Sequence, residues 1–201
     1  MSEQYFTGKP QIESHPETWS YALRGVNMTF TSDRGVFSKG GVDFGSRLLI
    51  ETFSAPDLEG AFVDLGCGYG PIGLALAKVY PNRQVVMADV NHRAIDLAIK
   101  NKEANRIENV EICVSDGFSN ITTNAISAVL TNPPIRAGKQ VVHQLLEESY
   151  EKLLPEGELW VVIQKKQGAS SAVKKLETLF SEVSVVKKDK GYHIIRAVKT
   201  S

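Results

Sequence analysis

Hydrophobic and polar positions along the chain change rhythm near Gly60. Before it the pattern is irregular. Residues 20–24 and 27–31 carry Tyr21, Leu23, Phe30 and Thr31 around Gly25, which predicts a hairpin. From Ala61 onward, short apolar runs alternate with stretches of helical period. Residues 61–63 read as a strand, 71–79 as a helix behind a glycine-rich loop, 85–88 as a strand and 93–105 as a helix. Strands follow over 110–114 and 125–130, then a helix over 140–153 and a strand over 158–163 after the Pro155-Glu156-Gly157 turn. A helix over 171–180 leads into strands at 183–187 and 192–198. Short apolar strands alternating with amphipathic helices predict an α/β fold, a mainly parallel sheet covered on both faces. The two closing strands lie a short turn apart and are expected to pair antiparallel at one end.

Composition narrows the setting. The 201 residues suit one domain of ordinary size, and 23 Lys plus Arg balance 23 Asp plus Glu. No overall basic character announces nucleic acid or an anionic membrane. Cys67 and Cys113 have no metal-type spacing and no disulfide framework around them, so no metal is expected and a reducing cytosol is the expected compartment. Residues 1–10 hold no apolar signal segment, and no apolar run approaches the ~20 residues of a membrane helix. The expectation is a cytoplasmic protein that is not exported.

In open parallel sheets ligands bind beyond the carboxyl ends of the strands, and four of these ends carry unusual residues. The first strand runs into Asp64-Leu65-Gly66-Cys67-Gly68-Tyr69-Gly70-Pro71-Ile72-Gly73, where three glycines allow a tight turn and close approach of a ligand to the backbone. Asp64 can hold this loop or approach a cationic ligand end. Residues 68–73 also satisfy the literal G-x-G-x-x-G spacing of dinucleotide enzymes. The second strand ends at Asp89-Val90, with Asp89 suited to a ribose's two hydroxyls, a feature that serves either cofactor class. After the third comes Ser115-Asp116-Gly117-Phe118: Asp116 can accept from an adenine amino group with Phe118 packing nearby, or it can cap a turn. The fourth ends in Asn132-Pro133-Pro134-Ile135. Two prolines fix φ, remove competing amide donors and hold the preceding residue extended, so that acceptors project rigidly into the crevice.

Residues 63–70 resemble motif I of the class I S-adenosylmethionine-dependent methyltransferases. Asn132-Pro133-Pro134-Ile135 resembles the Asn-Pro-Pro-aromatic motif of the branch that methylates exocyclic amines of bases or the amide of glutamine. Two further segments, 36–49 and 191–197, are similar to the methyltransferase small domain group, the ribosomal RNA small subunit methyltransferase C type. The resemblance implies a Rossmann-like seven-stranded mostly parallel sheet with an antiparallel last strand, helices on both faces and a small N-terminal β-hairpin extension. It implies one domain over 1–201, divided into an extension over 1–59 with the hairpin and substrate mouth, and a cofactor-binding core over 60–201.

The same resemblance implies S-adenosylmethionine as cofactor. Asp64, Gly66, Cys67, Gly68, Gly70, Asp89, Val90, Asp116, Gly117, Phe118 and Asn132 would contact it, with Phe37, Asp43 and Gly45 closing over its methionine end. Catalysis would fall to Asn132, Pro133, Pro134 and Ile135: the Asn132 side-chain oxygen and the Pro133 carbonyl would accept hydrogen bonds from the target amine. The implied target is guanine N2 of small-subunit ribosomal RNA, with adenine N6 or a protein glutamine as alternatives.

Two departures bear on the substrate. Ile135 stands where the group commonly has an aromatic, so either it gives apolar contact only or another ring replaces the stack. The longer members of the group carry an additional N-terminal domain, of which no counterpart is expected here, so target recognition is expected from elsewhere. Arg34, Lys39, Arg136 and Lys139 flank the expected mouth and are the candidates for RNA contact. Beyond Ile163 nine basic residues face three acidic ones, which reads either as a phosphate-contacting surface or, slightly favoured, as solvated faces. His143 reads as a surface or packing histidine. Two further readings compete: a non-catalytic RNA-binding module that keeps the pocket, and a dehydrogenase. The dehydrogenase has no use for Asn132-Pro133-Pro134, and its Tyr5 and Lys9 pair lies far ahead of the core.

Overall fold

The computed structural model describes residues 13–36 and 41–200. Strands β1 (Glu17–Leu23) and β2 (Val26–Ser32) form the expected antiparallel hairpin, in register from Glu17 opposite Ser32 to Leu23 opposite Val26. Its two turn residues, Arg24 and Gly25, both have positive φ (48° and 75°). That is what the twist-matched two-residue turn requires. Arg24 is held there by its amide on the Glu51 carboxylate at 2.7 Å and its guanidinium on the Phe53 carbonyl at 2.9 Å.

The hairpin is followed by α1 (Phe44–Thr52), a helix the hydrophobic pattern does not predict. Then come β3 (Ala61–Leu65), α2 (Pro71–Val79), β4 (Val85–Asp89), α3 (His92–Ala104), β5 (Val110–Val114) and β6 (Ile126–Thr131). The chain continues with α4 (Lys139–Lys152), β7 (Leu153–Gln164), α5 (Ala169–Glu177), β8 (Glu182–Asp189) and β9 (Tyr192–Val198). The seven-stranded sheet runs β5-β4-β3-β6-β7-β9-β8, parallel except for β9, which slots antiparallel between β7 and β8. The predicted turn at 155–157 lies inside β7 as a bulge, between Leu153 opposite Ile126 and Glu158 opposite Ala128. Glu156 takes a φ of 65° there.

Strand residues alternate between two apolar layers, as a sheet covered on both faces requires. Phe62, Met87, Leu130, Trp160 and Ile194 pack under α1, α2, α3 and the hairpin. Val63, Val86, Val129, Val161 and Ile195 pack under α4 and α5. The hairpin is anchored by two asparagines one turn apart at the end of α3, Asn101 in its last turn and Asn105 as its C-cap. Asn101 accepts from the Thr31 amide at 2.7 Å and donates to its carbonyl at 2.9 Å, and Asn105 does the same at Thr29. Each side chain thus mimics a neighbouring strand for β2. Among the described residues no helix is long and apolar enough to cross a membrane.

Candidate active site

The carboxyl ends of β3, β4, β5 and β6 open into one cleft of about 840 Å³. Parallel pairing of β3 with β4 and β6 puts the ends side by side, and the Thr131 hydroxyl donates to the Leu65 carbonyl at 2.8 Å across the gap. The loop after β3 bends through Gly66 and Gly68 at φ values of 74° and 57°. A Cβ added at either would meet nothing. The backbone conformation, not crowding by the protein, therefore demands glycine, and both positions present bare main chain to the cleft.

Asp89 braces that loop. Its Oδ2 accepts from the Gly68 amide at 2.8 Å and its Oδ1 from the Asn91 amide at 2.9 Å. Burial raises its pKa above the ordinary carboxylate value, while the amides of Asn91, Gly68 and Val90 pull it down. Asp64 lies beneath the loop, 1% exposed, with Oδ2 accepting from the Gly73 amide at 2.8 Å. Its Oδ1 is buried with no hydrogen-bond partner among the described residues. Burial pushes its pKa up to about 7, against the Gly73 amide and with help from the charge of Asp89. Burial, with Asp64 and Asp89 nearby, also pushes the Cys67 thiol well above its usual range.

After β6, Asn132 lies on the cleft wall with its Nδ2 3.2 Å from Asp43 Oδ2 and 3.1 Å from Ser46 Oγ. The prolines fold the following residues tightly: the Ile135 amide donates to the Pro133 carbonyl at 2.8 Å and the Ala137 amide to the Pro134 carbonyl at 2.9 Å. The Pro133 carbonyl therefore has one of its two lone pairs already engaged. Asp43 caps α1, with Oδ2 accepting from the Ser46 amide at 3.0 Å.

Of the residues singled out from sequence, the cleft is lined by Asp43, Gly66, Cys67, Gly68, Asp89, Val90, Asp116, Gly117 and the 132–135 run. Asp64, Gly70 and Gly45 stand behind the wall: Asp64 holds the Gly73 amide in the first turn of α2, Gly70 precedes α2, and Gly45 leaves room for the Tyr192 ring. Phe118 is buried in the apolar layer under α4 and α5 and does not line the cleft. Gly117 takes a φ of 53°, which favours glycine, and a Cβ there would also meet the Glu148 carboxylate. Phe37 and Lys39 lie outside the described residues.

Other lining residues carry no sequence expectation: Ser46, Asn91, Gln164, Gln167 and Tyr192. Of these, Ser46 was legible in principle, because Asp43 three residues before it is a good N-cap ahead of an apolar run. Tyr192 and Gln164 pair across β9 and β7 and reach the cleft only through sheet order. Arg136 lines the cleft and is exposed, whereas Arg34 does not line it. Lys165 and Lys166 are exposed in the short turn between Gln164 and Gln167, so part of the C-terminal cation excess stands at the rim. His143 faces a smaller adjoining cavity with Lys139, its Nε2 3.2 Å from Ser171 Oγ. Burial, then Lys139 and Lys175, lowers its pKa.

Comparison with known proteins gives one family. The model of the Methyltransferase small domain matches residues 27–196. The chain is 58% identical over 200 residues to the uncharacterized protein YbxB of Bacillus subtilis (strain 168), covering 99% of this chain and 100% of that one. It is 30% identical to Ribosomal RNA large subunit methyltransferase G of Streptomyces avermitilis, covering 97% of this chain and 53% of the relative. In structure it resembles the T. thermophilus 16S rRNA N2 G1207 methyltransferase (RsmC) in complex with AdoMet and guanosine. The TM-score is 0.82 at 26% identity, over 94% of this chain and 52% of that one. The chain thus spans about half the length of these two ribosomal RNA methyltransferases.

Proposed function

The chain belongs to the methyltransferase small domain family, and from that premise we propose that it is an S-adenosylmethionine-dependent N-methyltransferase acting on an exocyclic amine of ribosomal RNA, guanine N2 first. The observation that carries this reading is the opening of two segments into one cleft: the bare glycine loop at 66–68 and the asparagine of Asn132-Pro133-Pro134.

The residues present suit the cofactor. Gly66 and Gly68 offer main chain with open space where a Cβ would stand. Asp89 and Asp116 line the same cleft as acceptors for ribose hydroxyls and an adenine amine. Asp64, whose Oδ1 is buried without a partner among the described residues, stands behind this wall and braces the first turn of α2. When bound, S-adenosylmethionine supplies an electrophilic methyl group whose bonding pair to carbon returns to sulfur as the amine nitrogen takes that carbon.

The protein's part is positioning. The lone pair of an exocyclic guanine amine is delocalised into the ring, so acceptors aimed at its hydrogens favour the pyramidal, nucleophilic form as positive charge develops on nitrogen. Asn132 Oδ1 and the second lone pair of the Pro133 carbonyl take this role. The surplus proton leaves to water. Fixing nucleophile and methyl carbon in line can contribute up to ~7–11 kcal/mol, and neither a general base nor a covalent enzyme intermediate is required.

Guanine N2 is favoured over adenine N6 or a glutamine amide by the structural neighbour, which bears N2 of G1207 in its name and has guanosine bound. Relatives named for the large subunit keep both ribosomal RNAs in the test. Purified protein with methyl-labelled cofactor is offered unmodified RNA of each subunit, and the product is digested to nucleosides. The expected label is in N2-methylguanosine. Label in N6-methyladenosine or in protein moves the function to the corresponding amine. Calorimetry without S-adenosylmethionine binding replaces the enzyme with an RNA-binding module.

A further inference from the structure

We infer that Asp43 is a positioning residue for the transfer reaction: with Ser46 it locks the Asn132 amide so that only its oxygen faces the target amine. The inference rests on the N-methyltransferase reading and deepens it, because it says why the site takes a group that donates hydrogen bonds.

A carboxylate can only accept, so the end of Asn132 that meets Asp43 must be the NH2. Its two hydrogens have two acceptors, Asp43 Oδ2 at 3.2 Å and Ser46 Oγ at 3.1 Å. That side of the amide is saturated, and among the described residues no donor is assigned to Oδ1. Asn132 is thereby reduced to an acceptor. The terminal amide torsion of an asparagine is broad and roughly two-fold. Without the clamp, oxygen and NH2 could exchange, and the flipped amide would aim hydrogens at the hydrogens of an incoming amine. With the clamp, a flip sets the amide oxygen against the Asp43 carboxylate and gives up two hydrogen bonds, one of them charge-assisted.

The clamp is itself anchored. The same Asp43 Oδ2 accepts from the Ser46 amide as the N-cap of α1, and the Asp43 carbonyl accepts from the Arg47 amide at 3.0 Å. Leu49 and Ile50, one turn on, are fully buried, so the cap cannot drift relative to the sheet. Gly45 completes the fit, since a Cβ there would lie 3.3 Å from Asp43 Oδ2 and 2.7 Å from the Tyr192 ring.

Asp43→Ser separates the two duties of the carboxylate. Serine caps a helix as well as aspartate does, but its oxygen is one bond shorter and cannot span to Asn132. Thermal stability should stay near wild type, and at saturating S-adenosylmethionine kcat should fall roughly tenfold or more, the scale of loosening one preorganised polar group. Asp43→Asn, whose oxygen can occupy the same position, should recover most of that loss. In an Asn132→Ala background Asp43→Ser should have no further effect, because Asp43 acts through Asn132. A second readout needs no substrate. The side-chain NH2 resonances of Asn132, assigned by their loss in Asn132→Ala, should be slow to exchange in wild type and fast in Asp43→Ser. Full turnover in Asp43→Ser, multiplicative losses in the double variant, or unprotected resonances in wild type would each overturn the inference. If the wild-type protein methylates no RNA, the functional reading fails, and the resonances still decide whether the clamp exists.

Discussion

The Gly68 amide donates to the Asp89 carboxylate at 2.8 Å, so the last residue of β4 holds the glycine loop that follows β3. One carboxylate thus shapes the loop and lines the cleft beside it. Asp89→Ala removes the brace and the acceptors for ribose hydroxyls together. Hydrogen bonds to a charged group contribute ~1.5–3 kcal/mol, so S-adenosylmethionine affinity should fall about tenfold or more. Calorimetry on the folded variant checks this. Unchanged affinity would remove Asp89 from the cofactor contacts.

Asp64 carries a pH signature. Its folded pKa is raised to about 7 from an ordinary value of 3.8, so between those values the folded state holds a proton the unfolded chain has released. A group raised in this way is at no disadvantage below the lower value, and stability declines as pH climbs through the window. The total is roughly 4 kcal/mol at most, at ~1.4 kcal/mol per unit. Chemical denaturation at a series of pH values from 4 to 8 should show the decline in wild type and a flatter profile in Asp64→Asn. The same slope in both would assign the pH dependence to other groups.

Asn101 is 1% exposed and satisfies three main-chain groups: the Thr31 amide, the Thr31 carbonyl and the Tyr69 carbonyl. It ties β2 and the glycine loop to α3 at one point. Asn101→Ala strands those groups in the interior, and each unsatisfied buried group costs ~1–3 kcal/mol, so a destabilisation of about 3 kcal/mol or more is expected. Loss of hydrogen-exchange protection at Thr31 should precede global unfolding. A variant within 1 kcal/mol of wild type would mean that water replaces the side chain, an outcome estimated from the same scale.

The sheet was legible in the sequence because its strands are short, apolar and fully buried, as β3 and β6 are at every position. The strand-end residues followed, since the sheet's topology brings these ends together whatever the side chains are. The helix α1 was not legible: it has nine residues and starts at Phe44-Gly45, so little helical period announces it beyond the Asp43 cap. The Asn132 clamp, which depends on that cap, spans 89 residues of chain and has no local pattern at all. Phe118 shows the opposite case. It neighbours a cleft-lining aspartate, but the turn at 116–119 sends its ring into the apolar layer under α4 and α5.

The ring that should meet the target base is Tyr192. Ile135, after the prolines, has no aromatic face to offer, and two tyrosines line the cleft among the described residues. Tyr69 is 2% exposed and wedged edge-on between Trp19 and Phe30, with centroids at 5.8 and 5.9 Å, so it has no free face. Tyr192 is half-buried at the start of β9, opposite Gln164 of β7, and leans on Phe44 at 5.6 Å and 51°. That support fixes the ring in advance, which lowers the entropy lost when a base stacks on it. Stacking on an aromatic is worth ~1–3 kcal/mol per base, so Tyr192→Ala should raise KM for RNA by roughly 5- to 150-fold. Tyr192→Phe should stay near wild type, and S-adenosylmethionine affinity should be the same in all three proteins. Steady-state methylation with RNA varied at saturating cofactor separates these outcomes. If Tyr192→Ala keeps the wild-type KM, apolar contact with Ile135 suffices and the ring only packs against Phe44. If Tyr192→Phe is as impaired as Tyr192→Ala, the phenol oxygen rather than the ring face makes the contact.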